Sequence, residues 1–368
     1  MINRMIVGNL VHRPVRSLIS IVAVALEVTM ILLIVGFSLG QLEGSRARAA
    51  GIGADVIVLP PGSSFIVGLT GAPMSIKVAG KLAKLPHVKS VAPVVTNLST
   101  VGTLEIIAGI DLPSYESMSS GFHYLSGGPF QGPYDVLVDD LFAQSKHLKV
   151  GNTIEILNNN FRICGIVEHG KGGRKFLPLS TLQDLTGNEN KASMMYLKLD
   201  DPANADAVVD EIKHIPGMER YVPSSMVTYL SMMTPTNYPG LSTFLRVVIG
   251  ISVVIGVLVI FQAMYTAVME RTREIGILKS MGASRLYIVN VVLRETVLLA
   301  IGGILLGIVV SVAARAAILH RLPLTPMLLG PGWIARATLI AICSSIAGAL
   351  YPAFKAAQKD PIDALAYE

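Results

Sequence analysis

Residues 270–307 read ERTREIGILKSMGASRLYIVNVVLRETVLLAIGGILLG. Three pieces follow one another here: a short charged segment able to form a helix, a turn at Gly282-Ala283-Ser284, and an apolar run that continues to Ala314. That run, Thr296–Ala314, lies between Glu295 and Arg315 and has about the 20 residues a bilayer-spanning helix needs. Three further runs meet the same requirement. Residues 17–40 carry one charge, Glu27; Val247–Met269 carry none; Ala337–Phe354 lie between Arg336 and Lys355. All four are predicted to be transmembrane helices.

The composition agrees with this reading. Of 368 residues 52% are hydrophobic and 15% charged, against roughly 25% charged in an average soluble domain, which excludes intrinsic disorder and argues against a wholly cytosolic enzyme. The formal net charge of +5 would suggest nucleic acid if it were spread evenly. It is not: residues 41–242 hold 16 Lys and Arg against 18 Asp and Glu, and the rest hold 14 against 7. The basic excess belongs to the apolar part, so a membrane surface is the expected partner and nucleic acid is not.

Cytoplasmic loops near span ends are enriched in Lys and Arg. Arg4, Arg13 and Arg16 precede the first span, Arg271, Arg273, Lys279 and Arg285 separate the second from the third, and Lys355 and Lys359 follow the fourth. Both termini and the middle loop are therefore expected in the cytoplasm, and the long insert outside. Ala47-Arg48-Ala49 resembles a signal-peptidase site, but the preceding apolar run is about twice the usual length of a signal core, and the charged linker Glu43–Arg48 stands between the two. An uncleaved anchor is the better reading. The expected organisation is 1–40, an N-terminal amphipathic helix and the first span; 41–240, an extracytoplasmic domain; and 241–368, three spans with a cytoplasmic segment at 270–285 and a tail.

The insert reads as α+β. Strands are expected at 54–60, 88–96, 104–110 and 135–138 from short β-rich runs bounded by turn residues. TIEILNNNFRICGIVE at 153–168 predicts a hairpin turning at Asn158-Asn159-Asn160. Helices are expected at 76–85 and 203–214, the latter with a stripe of Asn204, Ala205, Val208, Val209 and Ile212. The absence of βαβ regularity suggests two small lobes.

No catalytic set is visible. There is no G-x-x-x-x-G-K-[ST] loop, and Gly170-Lys171-Gly172-Gly173-Arg174-Lys175 lacks that motif's spacing and its Ser or Thr, so it reads as a basic turn. The seven histidines are dispersed and the two cysteines, Cys164 and Cys343, have no metal-ligand spacing; neither a metal site nor a cofactor is expected on this chain. Two intramembrane features stand out. Gly303-x-x-x-Gly307 allows close helix approach, within one subunit or across a dimer seam. Glu27 lies about 15 Å along its helix, near the bilayer midplane, where an acidic group is costly and faces protein or a wet cavity; Gln262 in the second span is a plausible donor to it.

The order E-R-T-R-E-I-G-x-x-K-x-x-G-A, carried by Glu270, Arg271, Thr272, Arg273, Glu274, Ile275, Gly276, Lys279, Gly282 and Ala283, resembles the FtsX-like permeases, the membrane subunits of ABC transporters of the MacB, LolC/LolE and DevC types. The ending YPAFKAAQKDPIDALAYE is similar to the family's finish at Tyr351, Pro352, Ala353, Ala356, Ala357, Pro361, Ile362, Ala364, Leu365 and Glu368, and departs from it at Ala366, where many relatives have arginine. NLVHRPVRSLISIVAVAL resembles the family's amphipathic N-terminal helix, and VGNTIEILNNNFRICGIVE is similar to the MacB-type periplasmic core.

The resemblance implies a four-span subunit in a homodimer or paired with a homologous permease. An ATPase partner would carry ATP and Mg, and a periplasmic adaptor could join. The segment 270–285 would be a coupling helix, with Glu270, Arg271, Arg273, Glu274, Lys279, Gly282 and Arg285 at the ATPase interface. The implied function is type VII mechanotransmission in the inner membrane, exporting or extracting a lipid, lipoprotein or other amphiphile. Regulation of a cell-wall hydrolase and adaptor-dependent efflux of small drugs are the alternatives, and the size of the insert favours the exporter types over the regulator.

Overall fold

The computed structural model describes residues 14–63, 72–99, 105–238 and 240–359. The first helix, α1 (Pro14–Ala50), is 37 residues long. It does not stop at Gly40 as the apolar run does but continues through Glu43–Arg48, because no proline or cluster of β-branched residues interrupts that stretch. It ends at Gly51-Ile52-Gly53, where Gly53 adopts φ +80. Gly51 admits no side chain, since a Cβ there would lie 1.8 Å from the Gly170 carbonyl oxygen.

The insert that follows runs β1 (Val56–Leu59), β2 (Met74–Ser75), α2 (Lys77–Leu82), β3 (Val88–Ser99), β4 (Glu105–Ile110), α3 (Leu112–Glu116), β5 (Tyr124–Gly127), β6 (Asp135–Asp139), α4 (Asp140–Ser145), β7 (Thr153–Ile156), β8 (Asn159–Val167), β9 (Lys175–Pro178), α5 (Leu179–Thr186), β10 (Lys191–Ala192), β11 (Met194–Leu199), α6 (Ala205–Lys213), β12 (Val222–Ser225) and α7 (Met226–Met232). Ten strands form one mixed sheet in the order β12-β1-β11-β3-β4-β9-β6-β8-β5, with β7 on β8, and β2 pairs with β10 separately. The expectation of two separate lobes is thus corrected. The 12-residue β3 pairs with β11 over its first half and with β4 from Val94 to Ser99, tying both ends of the sheet together.

The hairpin also differs in detail. Ile156 pairs with Asn159, so its loop is Leu157-Asn158, at φ 50 and 61. Positive φ at both loop positions is the type I′ geometry that matches strand twist; Asn158 suits it, while Leu157 is an unusual occupant that no composition rule would select. In α6 the inward stripe is Ala205, Val208, Val209 and Ile212 as expected. Asn204 is not part of it and reaches Asp200 and His87 instead.

After the insert come α8 (Leu241–Glu270), α9 (Thr272–Ser280), α10 (Arg285–Arg321) and α11 (Pro331–Gln358). Helices α1, α8, α10 and α11 are each long and apolar enough to cross a membrane. The third starts at Arg285 and not near Thr296, because Ser284 Oγ accepts the Tyr287 N–H at 3.2 Å as a helix cap and nothing in LYIVNVVLRE breaks a helix. Pro352 sits inside α11, four residues after Gly348, whose missing side chain lets the Val257 carbonyl of α8 approach to within 2.6 Å of where a Cβ would stand.

The chain divides into two units. One comprises the residues up to Gly40, Thr243–Arg321 and those from Met327 onward; the other is Gln41–Ser242 together with Leu322–Pro326. The short segment joins the insert because Leu324 packs on the cluster around Val95, Ile107 and Phe161, and its carbonyl accepts Arg174 Nη2 at 2.9 Å.

Candidate functional site

The charged segment forms a helical arm between α8 and α10. A single non-helical residue, Arg271, separates α8 from α9, and Gly282 at φ +92 turns the chain from α9 toward α10. The α9 residues divide by helical spacing. Thr272 and Gly276 are buried, and Ile275 packs against Val268, Ile288, Val289, Ala353, Ala356 and Ala357. Arg273, Glu274, Ile277 and Met281 are exposed, Met281 by 71%. Leu286 at the start of α10 and Arg285 beside it are exposed too.

Two of the expected interface residues turn inward instead. Arg271 Nη1 donates to Glu295 Oε2 of α10 at 3.0 Å, with both side chains largely buried. Lys279 Nζ donates to the Ala357 carbonyl at 3.1 Å and also to the Lys359 carbonyl, at the C-terminal end of α11. In the sequence Glu295 marks only the border of an apolar run. Its partnership with Arg271 spans 24 residues and leaves no local signal. Glu270 is exposed beside a groove of about 620 Å³ shared by α1 and α8, lined by Pro14, Val15, Ile19, Leu258 and Gln262.

The second cluster surrounds Glu27, which is 4% exposed in the middle of α1. Its donor is Ser344 of α11, whose Oγ lies 2.9 and 3.0 Å from the two carboxyl oxygens. This corrects the expectation that Gln262 serves it: Gln262 is exposed and lines the groove described above. What α8 contributes is Gly256, where a Cβ would meet Glu27 Oε2 at 2.1 Å. Glu27 therefore occupies the space of an absent side chain on one span and takes a hydroxyl from another.

Gly303 and Gly307 lie against α1. A Cβ at Gly303 would come 2.6 Å from Val24 Cβ, and one at Gly307 would come 2.8 Å from the Ala25 carbonyl oxygen, while Thr29 Oγ1 donates to the Gly307 carbonyl at 3.2 Å. Both glycines are thus used in packing within one chain, where no second copy can enter.

In the insert the basic turn is structural. Tyr115 donates its hydroxyl to the Lys171 carbonyl at 2.8 Å, and Lys171 Nζ donates to Ser119 Oγ at 3.0 Å. Asp139 caps α4 through the Phe142 N–H at 2.7 Å. Burial pushes its carboxyl up to about 6, against the downward pull of that N–H and of Arg174. Among the described residues no group of three or more His, Cys, Asp and Glu could hold a metal. Of the C-terminal pattern, Pro352, Ala353, Ala356 and Ala357 are buried and Tyr351 is exposed. Pro361, Ile362, Ala364, Leu365, Ala366 and Glu368 lie outside the described residues, as do Arg4, Arg13 and most of the N-terminal amphipathic segment.

Comparison with known proteins adds the following. Residues 17–215 match the family described as MacB-like periplasmic core domain, and residues 246–361 that described as FtsX-like permease C-terminal. Proteins named macrolide export ATP-binding/permease protein MacB are similar: that of Bdellovibrio bacteriovorus is 25% identical over 98% of this chain and 60% of its own length, and that of Salmonella typhi 26% over 96% and 58%. The chain spans about three fifths of the length of these relatives. Among solved structures, the periplasmic region of MacB from Actinobacillus actinomycetemcomitans covers 50% of this chain and 94% of its own at 18% identity, TM-score 0.40. The extracellular domain of the ABC-type transporter YknZ from Gram-positive bacteria covers 46% and 98% at 14% identity, TM-score 0.36.

Proposed function

The chain belongs to the FtsX-like permease family and carries a MacB-like periplasmic core domain, and from that premise we propose that it is the membrane subunit of an ABC transporter working by type VII mechanotransmission. The observation that carries the proposal is the two-sided arm α9. Its inner face is packed on the chain's own helices, and its outer face offers Arg273, Glu274, Ile277 and Met281, a mixed charged and apolar surface that a cytoplasmic ATPase can grip. Gly282 and Arg285 complete that surface at the turn.

In this scheme ATP and Mg bind to the partner, and this chain has no catalytic residue. Closure of the ATPase moves the cytoplasmic ends of the helices; α1 and α8, which flank the insert in the sequence, carry the motion to it. The termini are cytoplasmic, the membrane is the inner membrane, and the working assembly is a homodimer or a pair of homologous permeases. The cargo is a lipid, lipoprotein or other amphiphile. The relatives' name, macrolide export ATP-binding/permease protein, supports a second reading, efflux of a small drug.

The test is co-expression with the ATPase encoded nearest to this gene. The purified chain alone should hydrolyse no ATP, and the pair should co-purify. Reversing Arg273→Glu together with Glu274→Arg should weaken docking while the membrane fold survives. Unchanged docking and transport in that variant would remove α9 from the interface.

A further inference from the structure

The α8–α9 elbow is one residue, Arg271, at φ −108 and ψ 18. A single-residue joint between two helices is a place where a push on the second can be absorbed by rotation. Here the residue at the joint is also the one whose guanidinium is tied to Glu295 on α10, with side chains only 12% and 6% exposed. Opening the joint would part a buried, hydrogen-bonded ion pair, which a low-dielectric interior resists strongly. At the other end of the arm Lys279 occupies the last carbonyls of α11. The last carbonyls of a helix point out of its end, and a cation is favoured there.

We propose that Arg271, Glu295 and Lys279 are positioning residues that fasten the arm to the third and fourth spans, so that force on its outer face reaches those helices instead of being lost at the elbow. The inference rests on the reading of α9 as the coupling element. It also separates neighbours that share charge and sequence position: Arg273 and Glu274 dock, while Arg271 and Lys279 transmit.

The experiment uses the full chain with its co-purified ATPase in lipid nanodiscs. An environment-sensitive fluorophore on Asn159→Cys, in a Cys164→Ala, Cys343→Ser background, reports movement of the insert on addition of ATP. Arg271→Gln, Glu295→Gln and Lys279→Gln should retain the ATPase at wild-type stoichiometry and hydrolyse ATP, yet lose the ATP-dependent fluorescence change by roughly fivefold or more, within the usual range of coupling between sites. The swap Arg271→Glu with Glu295→Arg should recover part of it, and Arg271→Lys more; the swap and Arg271→Lys test the role if a single neutralisation fails to fold. Loss of ATPase binding by Arg271→Gln as complete as with the Arg273/Glu274 reversal would put Arg271 on the docking surface and overturn the proposal. An undiminished fluorescence change in all three single variants would overturn it as well. A wild-type chain that retains no ATPase would instead count against the functional reading on which the proposal rests.

Discussion

Glu27 and Gly256 form a size match that a single methyl group tests. In Gly256→Ala the new Cβ would stand 2.1 Å from Glu27 Oε2, 2.6 Å from Cδ and 3.1 Å from Oε1, so the carboxyl must retreat by at least about 1.3 Å to reach ordinary contact. It cannot do so freely, because Ser344 Oγ holds both oxygens, at 2.9 and 3.0 Å. Overpacking of a tight site costs about 1–3 kcal/mol, and a lost hydrogen bond adds roughly 0.5–1.5 kcal/mol. A total of about 1.5–4.5 kcal/mol follows from adding those ranges. The assay is thermal unfolding of the detergent-solubilised chain, with a double-mutant cycle. Gly256→Ala alone should lower stability clearly, and Glu27→Ala alone should also be destabilising. The double variant should be less destabilised than the sum by about 1 kcal/mol or more, since the methyl fills the space the carboxyl vacates. Additive effects, or a neutral Gly256→Ala, would refute the size match. Glu27→Gln should be tolerated better than Glu27→Leu, because the amide keeps a hydrogen-bond partner for Ser344.

Three further outcomes are expected. In a cysteine-free background Asn159→Cys should react with a membrane-impermeant thiol reagent on intact spheroplasts and Gly282→Cys should not; the reverse pattern would invert the topology. Gly44→Cys with Pro326→Cys should oxidise spontaneously, because an ideal Cβ at 44 lies 3.7 Å from Pro326 Cβ, within the range of a disulfide; Arg174→Ala, which frees the Leu324 carbonyl, should slow the reaction, and an equal rate would deny Arg174 a part in seating that segment. For Asp139, a carboxyl raised from 3.8 to about 6 in the fold contributes stability that is full below the unfolded value and lost as pH rises through about 6. Asp139→Asn, which still caps α4, should therefore raise the melting temperature at pH 7.5 and gain less at pH 5, a difference absent if Asp139 were ordinarily charged.

The sequence alone determined the four spans, since hydrocarbon thickness sets their length and a run of some twenty apolar residues has little other use. It also determined the arm, because ERTREIGILKSMGAS carries both a helical pattern and the glycine that the turn needs at φ +92. The α6 stripe was legible for the same reason: helical period is a local property. Tertiary structure alone decided which groups meet. Ser344 lies 317 positions from Glu27, and nothing near either residue distinguishes it from Ser345 or from Gln262. Gly256 matters through what it leaves empty. The fates of Arg271 and Arg273 diverge because one sits at the elbow facing α10 and the other a helical step away facing out. Strand order in the insert was likewise hidden, since β3 reads as an ordinary strand until its length is seen to reach two sets of partners. Period and hydropathy are properties of neighbours along the chain, whereas partner choice depends on which helices and strands pack together, and packing is settled only in three dimensions.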